Sequence, residues 1–336
     1  DLREQAKFRP AAGDNPYRAL ESYDIADNKL FFGREKAIEA LLARTPNAPL
    51  TVLHAESGAG KTSLLRAGIM PRLLAGGYLP IYVAVRRRTP HDAIKHALLP
   101  DPSKAPDLAG GSLRAYFSAL ARVVGHNREI FVFVDQFETF FTDVFTDEQR
   151  AEFISEIAEC LDDQLLPVRL TLAMRTEYFG LLASFQPAVP HPFENELLLR
   201  AFTAKEARQA LVLPARAQGY DYQTGVIDAI LPDLRGDALE IAPPQLQLVG
   251  GALIDGLPEG RKSISLDDYE TAGRAEGVLR SYLDRLLSRF SAADRRLARM
   301  VIEGLVRADQ TRDVRTPESL RDEFSALGVG SARLGD

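Results

Sequence analysis

The residues best equipped for chemistry sit close together in HAESGAGKTS, residues 54–63. Lys61 supplies a cation, Thr62 a hydroxyl, and Gly58 and Gly60 a backbone free to turn its N–H groups toward one point. A loop that cradles nucleotide phosphates needs those three things. Its N–H groups converge on the anion, its lysine reaches the β and γ oxygens, and its hydroxyl ligates Mg²⁺. The usual pattern, G-x-x-x-x-G-K-[ST], opens on glycine, whereas Ala55 stands there in this chain. A small side chain suffices at that slot so long as φ stays negative. The core G-x-G-K-[ST] arises by chance in about one such chain in a hundred. Here it also follows an apolar run and opens a helical pattern, so that the helix dipole points at the same anion.

Two further positions complete a possible site. The run IFVFV ends in Asp135, the arrangement that holds Mg²⁺ at a strand tip. The next position often carries a glutamate that activates water. Here it is Gln136, whose amide orients water but cannot take its proton. Glu138 is the nearest carboxylate for that role, and hydrolysis is expected to be slow. The run RLTLAM ends at Arg175. If that strand lies between the loop strand and the Asp135 strand, the guanidinium faces the γ-phosphate and can distinguish ATP from ADP.

The elements that position these residues read as alternating strands and helices. Apolar runs at 50–54, 79–85, 130–134, 169–174 and 196–202 are continuous rather than alternating, as in parallel strands buried on both faces. Amphipathic stretches at 113–124 and 148–161 lie between them, which predicts a doubly wound α/β sheet of five parallel strands. After Phe202 the pattern turns helical. Thr203 and Glu206 form a capping box for a helix to about Gln218, and more helices are expected at 223–235, 244–255 and from Ser265 to about Phe290. Ser291 caps another, and no strand-like run stands out. The expected organisation is a leader arm at 1–28, a nucleotide-binding domain at 29–202, a helical domain at 203–260 and a winged-helix-like domain at 261–336.

Composition narrows the classes. The chain has 336 residues, 46% hydrophobic and 26% charged, which are ordinary globular values. A net charge of −6 argues against nucleic acid as the main partner. The single cysteine, Cys160, allows no internal disulfide and reads as a core residue in a reducing, cytoplasmic setting. No apolar run approaches the ~20 residues of a membrane span. The five histidines show no metal-ligand spacing, and Arg86-Arg87-Arg88 reads as a solvated strand end. The chain opens on Asp1 rather than Met, so it is read as part of a larger protein.

With Lys61, Asp135 and Arg175 in this order, the chain resembles the STAND NTPases, and among them the bacterial novel-STAND group. NPYRALESYDIADNKLFFGRE (15–35) is similar to that group's leader. SGAGKTSLLRAGIMPRL (57–73), VFVDQFETFFT (132–142) and LTLAMRTEYFG (170–180) resemble its loop, metal and sensor segments. LRAFTAKEARQALVLPA (199–215), EIAPPQLQLVGGAL (240–253) and LDDYETAGRAEGVLRSYLDRLLSRFS (266–291) resemble its helical and winged-helix signatures. The resemblance implies that Phe32, Gly33 and Arg34 line the adenine and ribose side, with Pro244 packed on the base. It implies that Ser57, Gly58, Ala59, Gly60, Lys61, Thr62 and Ser63 hold phosphate, that Thr62 and Asp135 bind Mg²⁺, and that Arg175 senses the γ-phosphate. No Met-His-Asp motif matches here.

The expectation that follows is an ATP/ADP-dependent signal-transduction switch in bacterial signalling or defence. ATP would favour self-association, with an effector segment N-terminal to the chain and a sensor segment C-terminal to it. Two other classes compete: an ATP-dependent loader or remodeller of nucleic acid, and a scaffold that binds nucleotide for stability.

Overall fold

The computed structural model describes residues 15–85, 88–99, 101, 110–125, 128–142, 144–288 and 290–304. Its centre is a parallel sheet of β1 (Leu50–Ala55), β2 (Leu79–Ala84), β3 (Ile130–Asp135), β4 (Val168–Arg175) and β5 (Glu196–Leu198), in the order β2-β3-β4-β1-β5. β1 and β3 are buried along their whole length, which is why their sequences show no period-2 alternation. Side chains still point to opposite faces by turns. Val52, Ile130, Val132, Val134, Leu170 and Leu172 enter one apolar cluster, and Leu53, Phe131, Phe133 and Ala173 enter the other.

Helices cover both faces, as the doubly wound reading requires. On the second face lie α1 (Glu35–Arg44) and α2, which follows the phosphate-loop motif. α2 runs as α-helix over Lys61–Ser63, as π-helix over Leu64–Ile69 and as α-helix again over Met70–Ala75. Pro71 explains the widening. It has no N–H and its ring would strike the carbonyl four residues back, so the turn ahead of it opens. Met70 N–H accordingly reaches back to Leu65 O. On the first face lie α3 (Pro90–Leu98), α4 (Leu113–Val124) and α5 (Asp147–Asp162). Cys160 on α5 is buried, and burial above all pushes its thiol pKa up to about 12, which suits a packing residue.

Past the sheet come α6 (Ala204–Ala217), α7 (Val226–Arg235) and α8 (Pro243–Asp255). The box expected at α6 is present: Glu206 N–H donates to Thr203 Oγ1 at 3.3 Å and Thr203 N–H to Glu206 Oε2 at 2.9 Å. Three expectations need correction. β5 stops at Leu198 instead of running to Phe202, because the chain then leaves the sheet and Phe202 pairs antiparallel with Ile241. Strand structure does occur beyond Phe202, as a parallel pair of β6 (Asp221–Tyr222) and β7 (Ser263–Ile264), each too short to show a period. The long helix expected from Ser265 is split into α9 (Leu266–Thr271) and α10 (Arg274–Ser288), because Gly273 and Arg274 take positive φ.

One compact unit ends at Ala275 and so includes the sheet and the helices after it, and a second begins at Glu276. α11 (Ala292–Gly304) belongs to the second and is capped by Ser291, whose Oγ accepts from Asp294 N–H at 3.2 Å. Residues 305–336, and with them the C-terminal part of the winged-helix-like expectation, lie outside the described residues, as do Arg86, Arg87, His126 and leader residues 1–14.

Candidate functional site

β4 lies between β1 and β3, the order on which the reading of Arg175 depended. Ala55 at the end of β1 is in register with Arg175 at the end of β4, and β3 beside them ends in Asp135. The carboxyl ends of these three strands form the rim where open α/β sheets bind ligands. Ala55 keeps negative φ and is fully buried, so the missing glycine costs this loop nothing in backbone strain. Gly58 and Gly60 do need their freedom, with φ of +82° and +97°. The Lys61 ammonium donates to Ala55 O at 3.1 Å and Glu56 O at 3.4 Å. Burial lowers its pKa, opposed mainly by the Glu138 and Asp135 carboxylates.

Asp135 is almost wholly buried, and three donors hold it. Thr62 Oγ1 reaches Oδ2 at 2.6 Å, Tyr82 OH reaches the same oxygen at 2.8 Å, and Gln136 N–H donates to Oδ1 at 2.8 Å. Thr62 and Asp135, the two expected metal ligands, are therefore direct neighbours. Gln136 takes left-handed backbone at φ +57° and opens the short 3-10 helix Phe137–Phe141. That turn carries Glu138 back to Arg175, whose Nε lies 3.3 Å from Glu138 Oε1. Glu138 Oε2 is buried and takes no hydrogen bond from the described residues.

The opposite wall comes from the leader and from α8. Arg34 is 4% exposed, donates to Ala59 O at 2.7 Å and to Arg200 O at 2.9 Å, and lies 4.0 Å over the Phe202 ring. Burial lowers its pKa to about 10, with Glu206 and Glu240 opposing, so it stays charged near neutrality. Gly33 marks a close approach: with φ +82°, an added Cβ would sit 2.5 Å from Glu206 O. A Cβ on Gly58 would meet Pro244 Cγ at 3.2 Å, so α8 packs directly on the phosphate loop. Tyr23 N–H donates to Ser63 Oγ at 3.1 Å, tying the leader to α2.

These walls enclose one cavity of about 280 Å³. Phe32, Arg34, the whole of Ser57–Ser63, Asp135, Gln136, Glu138, Arg175 and Pro244 line it, whereas Gly33 does not. Sequence reasoning did not single out Ala19 to Tyr23 or Gln247, which also line it, nor Tyr82 as a partner of Asp135. Tyr82 gave no signal because strand neighbours are set by sheet order. Among the described residues no three His, Cys, Asp or Glu side chains cluster as a metal centre, and no helix is long and apolar enough to cross a membrane.

The pattern of the Novel STAND NTPase 1 family matches residues 16–328. The chain belongs to that family. It is a P-loop NTPase, and nucleotide binding comes with the class. Two solved structures resemble this Novel STAND NTPase across most of its length. The Walker-type ATPase PABY2304 of Pyrococcus abyssi has a TM-score of 0.51 at 16% identity, covering 93% of this chain and 89% of that one. The ORC2 protein of Aeropyrum pernix, in ADPNP–ADP complexes, has a TM-score of 0.53 at 14% identity, covering 90% and 91%. At such identities the likeness concerns the fold. No protein with a curated description matches the chain.

Proposed function

We propose that this NTPase is an ATP/ADP-dependent signal-transduction switch, the core of a larger cytoplasmic protein, that hydrolyses ATP slowly and self-associates in the ATP state. The observation that supports this most is the make-up of the cavity wall. The phosphate loop, the sensor-side Arg175 and the helix bearing Pro244 all line one space, so a change in the ligand is felt by the sheet and by the helices after it. In this reading Ser57 to Ser63 cradle the phosphates, with Lys61 as the cation. Thr62 and Asp135 hold Mg²⁺, and such a pair of hard oxygen donors fits an ion that keeps water and phosphate as its remaining ligands. When bound there, the ion would supply positive charge to offset that of the phosphates. Phe32 and Arg34 serve the nucleoside side. Glu138 with Gln136 orients water, and the Glu138–Arg175 pair gives the γ-phosphate something to compete with: an arginine that leaves a carboxylate for a phosphate.

Magnitudes argue that nucleotide alone does not throw the switch. Moving a two-state equilibrium from 1:99 to 99:1 takes about 5.5 kcal/mol of differential binding. A charge-assisted hydrogen bond to Arg175 contributes about 1.5–3 kcal/mol. The remainder is assigned to a partner or ligand acting on a sensor segment C-terminal to this chain, with output through an N-terminal effector. The joints at 202/203 and 260/261 are where the parts would rearrange. The test is the size of the full-length protein with its trigger, in ADP and in a non-hydrolysable ATP analogue. Assembly only with the analogue is expected, and its loss in Lys61→Ala ties it to the site. Identical monomers in both nucleotides would sink the proposal.

A further inference from the structure

The wall of the cavity opposite the phosphate loop holds a side chain whose two ends are unequally engaged. Gln247 on α8 lines the cavity and is 9% exposed. Its Oε1 accepts from Arg18 N–H at 3.1 Å and from Tyr23 OH at 2.6 Å. The hydroxyl also reaches Pro16 O at 3.1 Å, the longer of its two contacts. A backbone N–H can only donate, so the atom facing Arg18 must be the amide oxygen, and the amide cannot be turned end for end. Among the described residues Nε2 makes no hydrogen bond, and the two bonds of this amide are both to its oxygen. The leader thus spends its own donors on the oxygen and leaves the nitrogen, a pure donor, for the cavity.

The surroundings favour a base over a phosphate. Leu20, Leu30, Phe31, Phe32, Pro243 and Ala210 line the cavity with Gln247 and with Arg34, whose guanidinium is already engaged by Ala59 O, Arg200 O and the Phe202 ring, whereas Lys61, Asp135 and Arg175 gather near the strand tips. Apolar walls with one placed polar group are how pockets orient a flat ligand. Resting on the nucleotide-site reading above, we propose that Gln247 is a specificity-determining residue whose Nε2 donates a hydrogen bond to a ring nitrogen of the purine. Arg18 and Tyr23 are positioning residues for it. Base recognition then depends on a leader segment 224 residues away in sequence from the side chain that reads the base.

Binding of ATP and of its 1-deaza, 3-deaza, 7-deaza and 2′-deoxy analogues to the wild-type protein tests this without any variant. One deaza analogue, lacking the accepting nitrogen, should bind about tenfold more weakly than ATP, because it leaves the amide unpaired. Gln247→Glu keeps an oxygen for Arg18 and Tyr23 but replaces the donor with an acceptor. It should weaken ATP by a similar factor and show no additional loss with that same analogue. Equal binding of all three deaza analogues by the wild type, a penalty that follows 2′-deoxy-ATP instead, or a deaza penalty unchanged in Gln247→Glu each overturns the inference. In all of those cases Lys61-dependent binding of ATP survives. If ATP does not bind at all, the nucleotide-site reading itself fails and this one falls with it.

Discussion

Asp135→Asn separates what that carboxylate does for the fold from what it does for a ligand. Gln136 N–H can only donate, so the amide must keep its oxygen on that side and present Nδ2 where Oδ2 now meets Thr62 and Tyr82. Both hydroxyls can rotate and accept. Three charge-assisted bonds of about 1.5–3 kcal/mol become neutral ones of about 0.5–1.5, a loss of roughly 3–4 kcal/mol in all. Removing an almost completely buried charge works the other way, because desolvating an ion costs several kcal/mol. The two terms oppose each other, so without nucleotide the variant should unfold within about 2 kcal/mol of the wild type, in either direction. With Mg·ATP at 100 times its Kd the wild type gains about 2.7 kcal/mol. A variant that binds a hundredfold more weakly sits near its Kd at the same concentration and gains only about 0.4 kcal/mol. Urea denaturation with and without Mg·ATP, and with EDTA as the control, reads both quantities. An equal gain from Mg·ATP in the two proteins would remove Asp135 from the metal site. A loss beyond about 4 kcal/mol without nucleotide would show that the hydroxyls do not reverse, and the hydrogen-bond reasoning would fail.

Two further perturbations test the frame around the site. Gly33→Ala forces a side chain into left-handed backbone and places its Cβ 2.5 Å from Glu206 O, so it should cost about 3 kcal/mol or more and lower the urea midpoint clearly; a midpoint like the wild type's would mean that the leader does not pack on α6 as described. His54 donates to or accepts from Thr176 Oγ1 at 3.2 Å, stacks 4.2 Å from the Phe179 ring and has Nε2 3.3 Å from Glu196. Burial lowers its pKa, with Lys61 adding to the shift and Glu196 opposing it. A folded pKa below the unfolded ~6.5 means that the neutral ring stabilises the fold fully above that pH, and that the stabilisation is lost as pH falls through the window beneath it. The drop in urea midpoint between pH 7 and pH 5 should therefore shrink in His54→Gln, and an unchanged drop would place the pH sensitivity elsewhere.

The strand-tip and loop residues proposed for the phosphate side of the candidate site could be picked out in the sequence because their signals are local. Gly58, Gly60, Lys61 and Thr62 lie within five consecutive positions, and Asp135 and Arg175 each end an apolar strand, so turn chemistry and burial pattern singled them out without knowledge of the fold. What could not be read locally was sheet order. The reading of Arg175 was conditional on β4 lying between β1 and β3, and the partnership of Tyr82 with Asp135 depends on β2 lying beside β3. The short elements escaped for another reason. β6 and β7 have two residues each, and no periodicity can show in two residues. Nor does a composition rule see that Gly273 and Arg274 share positive φ and split one helical pattern in two.

The wall across the cavity from the phosphate-loop motif is assembled by contacts that sequence patterns cannot express, and this has a consequence for how the molecule works. The phosphate loop is shaped by its own glycines and by the strand and helix on either side of it. The opposite wall exists where the leader meets α8: Asn15 Nδ2 donates to Gly251 O at 3.0 Å, and Arg18 and Tyr23 hold Gln247. A Cβ on Gly250 would lie 2.7 Å from the Tyr17 ring, so the leader and α8 approach as closely as glycine permits. Displacing the leader would thus leave the phosphate cradle standing while it loosens the wall across from it. Nucleotide affinity and leader position are then linked quantities: whatever ligand prefers the assembled wall must, by the same free energy, hold the leader in place.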